Sequence, residues 1–345
     1  MEYKYLRTRQ VNATLWVEIN NPPANFLTTD LLEELHKLVK EVHKDTSIRV
    51  LILTGSRDDF YIMHFSIPEL LLLTTHNRRL FLNILVKFRP TMAMLTYAMT
   101  FTNWLMDCSP RYEELILKLA KRLRGYSSSA FLWLQMTRLY HAVERLNKVT
   151  IAAINGSCNG GGTELSACFD FRFMIRDQDY TIGQPECLVN IVPGGGNSQR
   201  LLRLIGRAKA LEMMLTGHQL TPEVAKQIGL ITDIFDKKEF RSAVQKFADR
   251  MSLRPPVAID AIKQCVLKGM STTLRHGLSI ELGQSVRCLD TQDTSMALAA
   301  YAQYIRENID SIDYQNIPSR KIKDILRMTI DTLEQARIFK RFEGK

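Results

Sequence analysis

Apolar and polar residues alternate from Ala13 to Asn20 (ATLWVEIN), the period of a strand with one buried face. Asn21-Pro22-Pro23 ends it, and from Thr29 the apolar positions Leu31, Leu32, Leu35, Leu38, Val39 and Val42 recur at helical spacing. RVLILT, 49–54, is a short apolar run closed by Gly55 and predicts a strand buried on both faces. VTIAAIN, 149–155, again closed by glycine, and Phe169–Ile175 predict two more strands. Thr221-Pro222-Glu223 is a helix start, with Thr as cap, Pro in the first turn and an acid behind it, and Gly229 ends that helix. From about Asp236 the pattern is helical throughout, down to a polar, basic amphipathic segment at 319–342. Strands alternating with helices place the chain in the α/β class.

Residues 71–140 interrupt this rhythm. Seventeen uncharged residues, 90–106, precede the basic, helix-like RYEELILKLAKRLRG, 111–125. A membrane span needs about 20 predominantly apolar residues, whereas this stretch opens on Pro90 and carries four Thr and one Asn. A packed helical hairpin or lid is therefore expected, and contact with a membrane surface stays open. Between Leu72 and Tyr140 ten Arg or Lys face three acids, which accounts for much of the net charge of +10 and fits an anionic partner such as a phosphorylated ligand. Nucleic acid is disfavoured, because no recognised binding module accompanies the charge. Six cysteines in 345 residues, none in a C-x-x-C pair, argue against a metal site or a disulfide scaffold. MEYKYLRTRQ has no apolar core of a secretory signal, so a reduced, cytoplasmic protein is expected.

The chemistry concentrates in CNGGGTELSAC, 158–168, where three glycines stand one residue ahead of Glu164. Glycines permit positive φ and close backbone approach. They fit a tight strand-to-helix turn, or a backbone that offers N–H groups to a developing oxyanion beside an acid–base carboxylate.

Flanking motifs separate these readings. NGSCNGGGTELSACFDFRF (155–173), IGQPECLVNIVPGGGNSQRLLRLIGRAKALEMMLTG (182–217) and TPEVAKQIGLITDIF (221–235) resemble, in order and spacing, the crotonase (enoyl-CoA hydratase/isomerase) superfamily. RVLILTG resembles an early strand of that family, YIMHFSIPEL (61–70) its F-S-A-G-A-D-I-K-E-L-like loop, and TQD (291–293) its C-terminal T-E-D. The resemblance covers 1–70 and 141–310. It implies a spiral of ββα units over 1–250, interrupted by a basic helical insertion at 71–140. A helical oligomerisation region at 251–310 and a helical extension at 311–345 would follow.

It also implies a site. Gly161 and Met63 would donate backbone N–H groups to a thioester oxyanion, each worth roughly 2.7–4 kcal/mol. Glu164 and Glu186 would divide between them the base that activates water and the acid that protonates the α-carbon of a 2-enoyl thioester. Gly194 would help to position that water. His64 and Ser66 replace the loop's usual glycine and aspartate, so both enter as candidate substrate-site residues, His64 as a further acid–base group with a packing role as its rival. Asn197 and Ser198 stand where small residues are common, with little expected consequence. The implied partners are an acyl-CoA or acyl carrier protein thioester and further copies of the chain, as a homotrimer or hexamer. No metal is implied, and no cofactor beyond the CoA moiety of the substrate. Double-bond isomerisation, other thioester chemistry and a catalytically weak binding or scaffold role remain as alternatives.

Overall fold

The computed structural model describes residues 3–77, 89–122, 128–309, Leu333 and 342–344. Most of the segment 319–342, expected to be helical, therefore lies outside the described residues, as do Arg78, Arg79 and Lys87 of the basic stretch between Leu72 and Tyr140.

A six-stranded sheet runs in the order β1 (Leu6–Val11), β2 (Thr14–Ile19), β3 (Val50–Gly55), β5 (Val149–Ile154), β7 (Phe171–Ile175), β9 (Asp233–Phe235). Only the β1–β2 pair is antiparallel. A second, parallel sheet has the order β4 (Phe60–Ile62), β6 (Ser157–Asn159), β8 (Ile182–Gly183). Each of β3, β5 and β7 joins the large sheet and the next strand joins the small one, which is the expected repeat of strand pairs.

The predicted strands all form. β1 escaped the sequence pattern because it is an edge strand with mostly exposed residues. β6 and β8, three and two residues long, are too short to show a period.

Helix α1 (Thr29–Lys44) starts where Thr28 caps it, its side chain accepting from Leu31 N–H, and Asp30 sits in the first turn. All six apolar positions named for it are buried. They pack with α5 (Ser128–Glu144) against the large sheet: Leu132, Met136, Leu139, Tyr140 and Val143 belong to the same core. Period-two alternation decides which helix each strand residue meets. Val17, Leu51 and Leu53 line one small gap with Leu35, Leu38, Leu139 and Val143. Trp16 faces the other way and donates its Nε1–H to Gln245 on α10 (Phe240–Ser252) at 2.6 Å.

The segment read as an insertion thus ends in a core helix. It begins with α2 (Ile67–Asn77), and its outer part is the pair α3 (Arg89–Cys108) and α4 (Pro110–Arg122). Buried Glu113 on α4 roots this pair: it meets Arg138 of α5 at 2.9 Å and faces Lys40 and His36 of α1. Beyond that root Met94, Tyr97, Phe101 and Trp104 are exposed. Among the described residues no helix is long and apolar enough to cross a membrane.

Between core and C-terminus come the short helices α6 (Gly161–Ser166), α7 (Asn197–Leu204), α8 (Gly206–Thr216) and α9 (Pro222–Gln227). Thr221 caps α9 as its sequence predicted, accepting from Val224 N–H, and Gly229 follows it with φ +83°. The C-terminal helices are α11 (Pro256–Gly269), α12 (Leu274–Leu289) and α13 (Gln292–Ile309). Buried Asp293, of the TQD motif, accepts from Glu343 and Gly344 N–H at 3.0 and 2.7 Å and so ties down the chain end.

Candidate active site

The three strands of the small sheet are parallel, so the segments that follow them leave on one side. The segment after β4 carries Met63–Ser66, that after β6 carries Gly160–Glu164, and that after β8 carries Gln184–Glu186. This register, invisible in any local pattern, assembles the site.

The glycine triplet does two jobs. Gly160 caps α6 with φ +52°, and a Cβ there would stand 2.9 Å from Glu186 Oε1. Gly162 lies so close to the Ile62 carbonyl that a Cβ would collide with it. Gly161 opens the helix between them, with Phe65 N only 3.6 Å from where its Cβ would be.

Met63 departs from expectation. Its N–H donates to the Ala24 carbonyl at 3.2 Å, so it is already engaged inside the fold. The group that faces Gly161 belongs to Phe65. Leu27 fixes it: Leu27 N–H donates to the His64 carbonyl at 2.9 Å, and Ser66 N–H donates to the Leu27 carbonyl at 2.8 Å. With the His64 carbonyl held by Leu27, the N–H at the opposite end of that peptide group points away from Leu27, into the site. Among the described residues it has no acceptor. The loop alignment pointed at the residue before the replaced glycine; the hydrogen-bond alternation selects the residue after it.

His64 needs no glycine-like backbone, since the only non-glycine residues with positive φ among those described are Asn12, Asn25 and Asn190. Its Nδ1 donates to the Phe65 carbonyl at 2.7 Å and its ring packs 4.8 Å from Phe26. A positive charge on this ring acts to lower the Glu186 carboxyl. Ser66 sits at the start of α2, where its carbonyl accepts from Leu70 N–H, and its hydroxyl has no hydrogen bond among the described residues. Gly194 is exposed and α7 begins three residues later, at Asn197. The N–H that reaches a carboxylate is that of Gly195, 2.7 Å from Glu164 Oε1.

Glu164 is buried on α6, and its Oε1 also receives Asn197 N–H at 3.5 Å. Burial, and then the neighbouring Glu186, push its carboxyl up to about 8, against the pull of the Gly195 and Asn197 N–H groups and of Arg200. Glu186, on a 3₁₀ turn (Glu186–Val189), is also raised by burial, with Gln184 and His64 acting the other way. Its Oε1 accepts from Gln184 Nε2 at 2.7 Å, while Oε2 is buried without a partner among the described residues.

A brace stands behind the pair. Arg200 grips Glu144 through two hydrogen bonds, Nη2 to Oε2 at 2.9 Å, and donates Nη1–H to the Gly195 carbonyl. Tyr140, fully buried, donates to the Gly161 carbonyl at 3.3 Å. The sequence motif contained Gln184 and Arg200 in its QPE and QRL parts, but only the fold turns them toward the carboxylates. Among the described residues no group of three or more His, Cys, Asp or Glu side chains is placed to hold a metal.

The strand pairs, the glycine turn and the two glutamates brought together after parallel strands form the arrangement expected of the crotonase class. The enoyl-CoA hydratase/isomerase family model matches residues 117–308, more than half of the chain, and the chain belongs to that family. The match begins inside the segment read as an insertion, in keeping with α5 being a core helix. The short-chain-enoyl-CoA hydratase of Clostridium acetobutylicum is 25% identical over 288 residues, 83% of this chain and 90% of that protein. The crotonyl-CoA hydratase of Syntrophomonas wolfei is 32% identical over 174 residues, 50% of this chain and 66% of that one. Among solved structures, the Bacillus anthracis enoyl-CoA hydratase superposes with a TM-score of 0.66 at 23% identity, covering 87% of this chain and 96% of its own. Pseudomonas aeruginosa DspI superposes at 0.67 and 23%, covering 88% and 95%. These two likenesses establish the fold.

Proposed function

We propose that the protein adds water across the 2,3-double bond of an enoyl thioester, or eliminates it from the 3-hydroxyacyl form. The observation that carries this is a pair of glutamates with unequal surroundings, Glu164 buried and Glu186 half-buried. Glu164, its carboxyl near 8, keeps a proton at neutral pH. Glu186 accepts from Gln184 through one oxygen, and its other oxygen is buried without a partner among the described residues. One carboxylate and one carboxylic acid are what hydration needs, a base for the water and an acid for the α-carbon. The thioester carbonyl lies against Gly161 and Phe65 N–H, with Phe65 taking the place first given to Met63. These donors hold the oxyanion that forms when water attacks the β-carbon. Retention of both carboxylates favours hydration over isomerisation, for which one suffices.

The substrate carrier is CoA or an acyl carrier protein, and no other cofactor takes part. The apolar stripe Leu274, Leu278, Leu282 and Val286 on α12 is exposed and supports assembly of copies through the C-terminal helices.

A panel of 2-enoyl-CoA and 3-hydroxyacyl-CoA substrates, followed by the absorbance of the conjugated thioester, tests the activity. Gain of that absorbance from a 3-enoyl-CoA, with no water added or lost, would point instead to isomerisation, and inertness toward the whole panel would sink the reading. Gly161→Val should abolish turnover, because its methyl groups fill the space beside Phe65 N, whereas Met63→Ala should change kcat by less than about twofold.

A further inference from the structure

Asn197 stands in the Pro193–Leu201 motif where a small residue is common, and the fold buries it completely. Its Nδ2 donates to Gln184 Oε1 at 2.6 Å. Gln184, fully buried as well, donates its own Nε2–H to Glu186 Oε1 at 2.7 Å. The backbone N–H of Asn197 meanwhile reaches Glu164 Oε1, beside that of Gly195. One residue therefore contacts both halves of the carboxylate pair, one directly and the other through a single amide.

A side-chain amide has a direction: its oxygen accepts and its nitrogen donates. While Asn197 holds the oxygen of Gln184, the nitrogen has to face Glu186. Once released, the amide is free to turn and set its oxygen against the carboxylate, an arrangement that Glu186 tolerates only when protonated. We propose that Asn197 is a positioning residue that fixes the direction of the Gln184 amide and so keeps a hydrogen-bond donor on Glu186. The proposal rests on the acid–base reading of the pair and deepens it. Two buried acceptors remain without a donor among the described residues, Asn197 Oδ1 and Glu186 Oε2. They are the atoms that would receive O–H hydrogens of the attacking water or of a 3-hydroxyl group.

Other titratable groups also face Glu186: Glu164 from α6, His64 from the segment after β4 and Tyr140 from α5, with Arg200 acting on Glu164. None of them changes in Asn197→Ala or in Asn197→Gly, which restores a small residue. Each variant should lose about tenfold in kcat with KM nearly constant. The acid limb of the pH profile should move up by about one unit, because Glu186 without its donor ionises only at higher pH. An activity-independent readout is the infrared titration of protein carrying ¹³C-labelled glutamate carboxyls, with the Glu186 band identified by its loss in Glu186→Gln. Its midpoint should rise in both Asn197 variants and equally in Gln184→Leu, with no further rise when Asn197→Ala and Gln184→Leu are combined. A Glu186 midpoint that stays put in folded Asn197 variants overturns the relay. If they do not fold, an unmoved midpoint in Gln184→Leu does the same. A shifted midpoint in a protein that hydrates no enoyl-CoA would keep the relay and remove the activity.

Discussion

Two buried glutamates in this protein meet opposite fates. Glu113, at the root of the α3–α4 pair, would be raised by burial, but His36, Lys40 and Arg138 more than offset that and hold its carboxyl well below the usual range. Glu164, more deeply buried still, receives only N–H groups directly and has Glu186 for a neighbour, so burial wins and its carboxyl rises to about 8. The difference lies in the depth of burial and in the partners. A buried acid with cations is a fastener. One with dipoles and a second acid is pushed toward its protonated form.

The sharpest way to break this comparison is to neutralise each carboxylate without changing its shape. Glu164→Gln and Glu186→Gln should each lower hydration by about 10²–10⁴-fold with the fold intact, read from kcat and the melting curve. Near-normal turnover in either would return that glutamate to a structural role. Glu113→Ala should do the reverse. It should cost about 3 kcal/mol of stability, the low end for breaking a buried ion pair, because Lys40 is half-exposed and Arg138 keeps Asp107 at 2.7 Å. Denaturant unfolding measures this, and kcat should fall far less than in the Glu164 variant.

The two residues should also tilt stability in opposite directions with pH. The folded-state value of Glu113 is depressed, so its contribution is present above the ordinary carboxylate range and is lost as pH falls through that lowered value. Glu164 is raised from 4.5 to about 8, so its contribution is complete below the former and is lost as pH rises through the latter. Unfolding free energies across that interval should decline less in Glu164→Gln than in wild type, and an equal slope would contradict the raised value. The smallest effect is expected on the exposed face of α3. Trp104→Ser removes an exposed side chain and should shift stability by less than about 0.5 kcal/mol, against about 2–5 kcal/mol for Leu35→Ala in the core. A larger loss at Trp104 would mean that its ring is covered in solution.

Much of this was legible beforehand. The face of α1, the strands at 50–55 and 149–154 and the cap at Thr221 follow from spacing and cap chemistry that act over one or two turns. The glutamates followed from the linear order of GGGTEL and GQPE. Other features were not legible, because they depend on what lies across the chain. Strands β6 and β8 exist through pairing with each other, with β4 and, at Ile182, with Leu220. Asn197 was given little consequence because nothing local reveals that its amide meets Gln184, thirteen residues away.

The sequence by itself determined which segments become helix or strand, which faces are apolar, and that glycines and two acids recur in a family-specific order. Those are properties of neighbours, written in periods of two and 3.6. The tertiary structure alone decided which N–H groups stay unspent and which buried acid keeps its proton. Leu27 directs the Phe65 N–H into the site while Ala24 takes that of Met63, and cations gather around Glu113 but not around Glu164. Hydrogen bonding and solvation are set by whatever surrounds an atom in space, and in this fold those surroundings come from segments far apart in the chain.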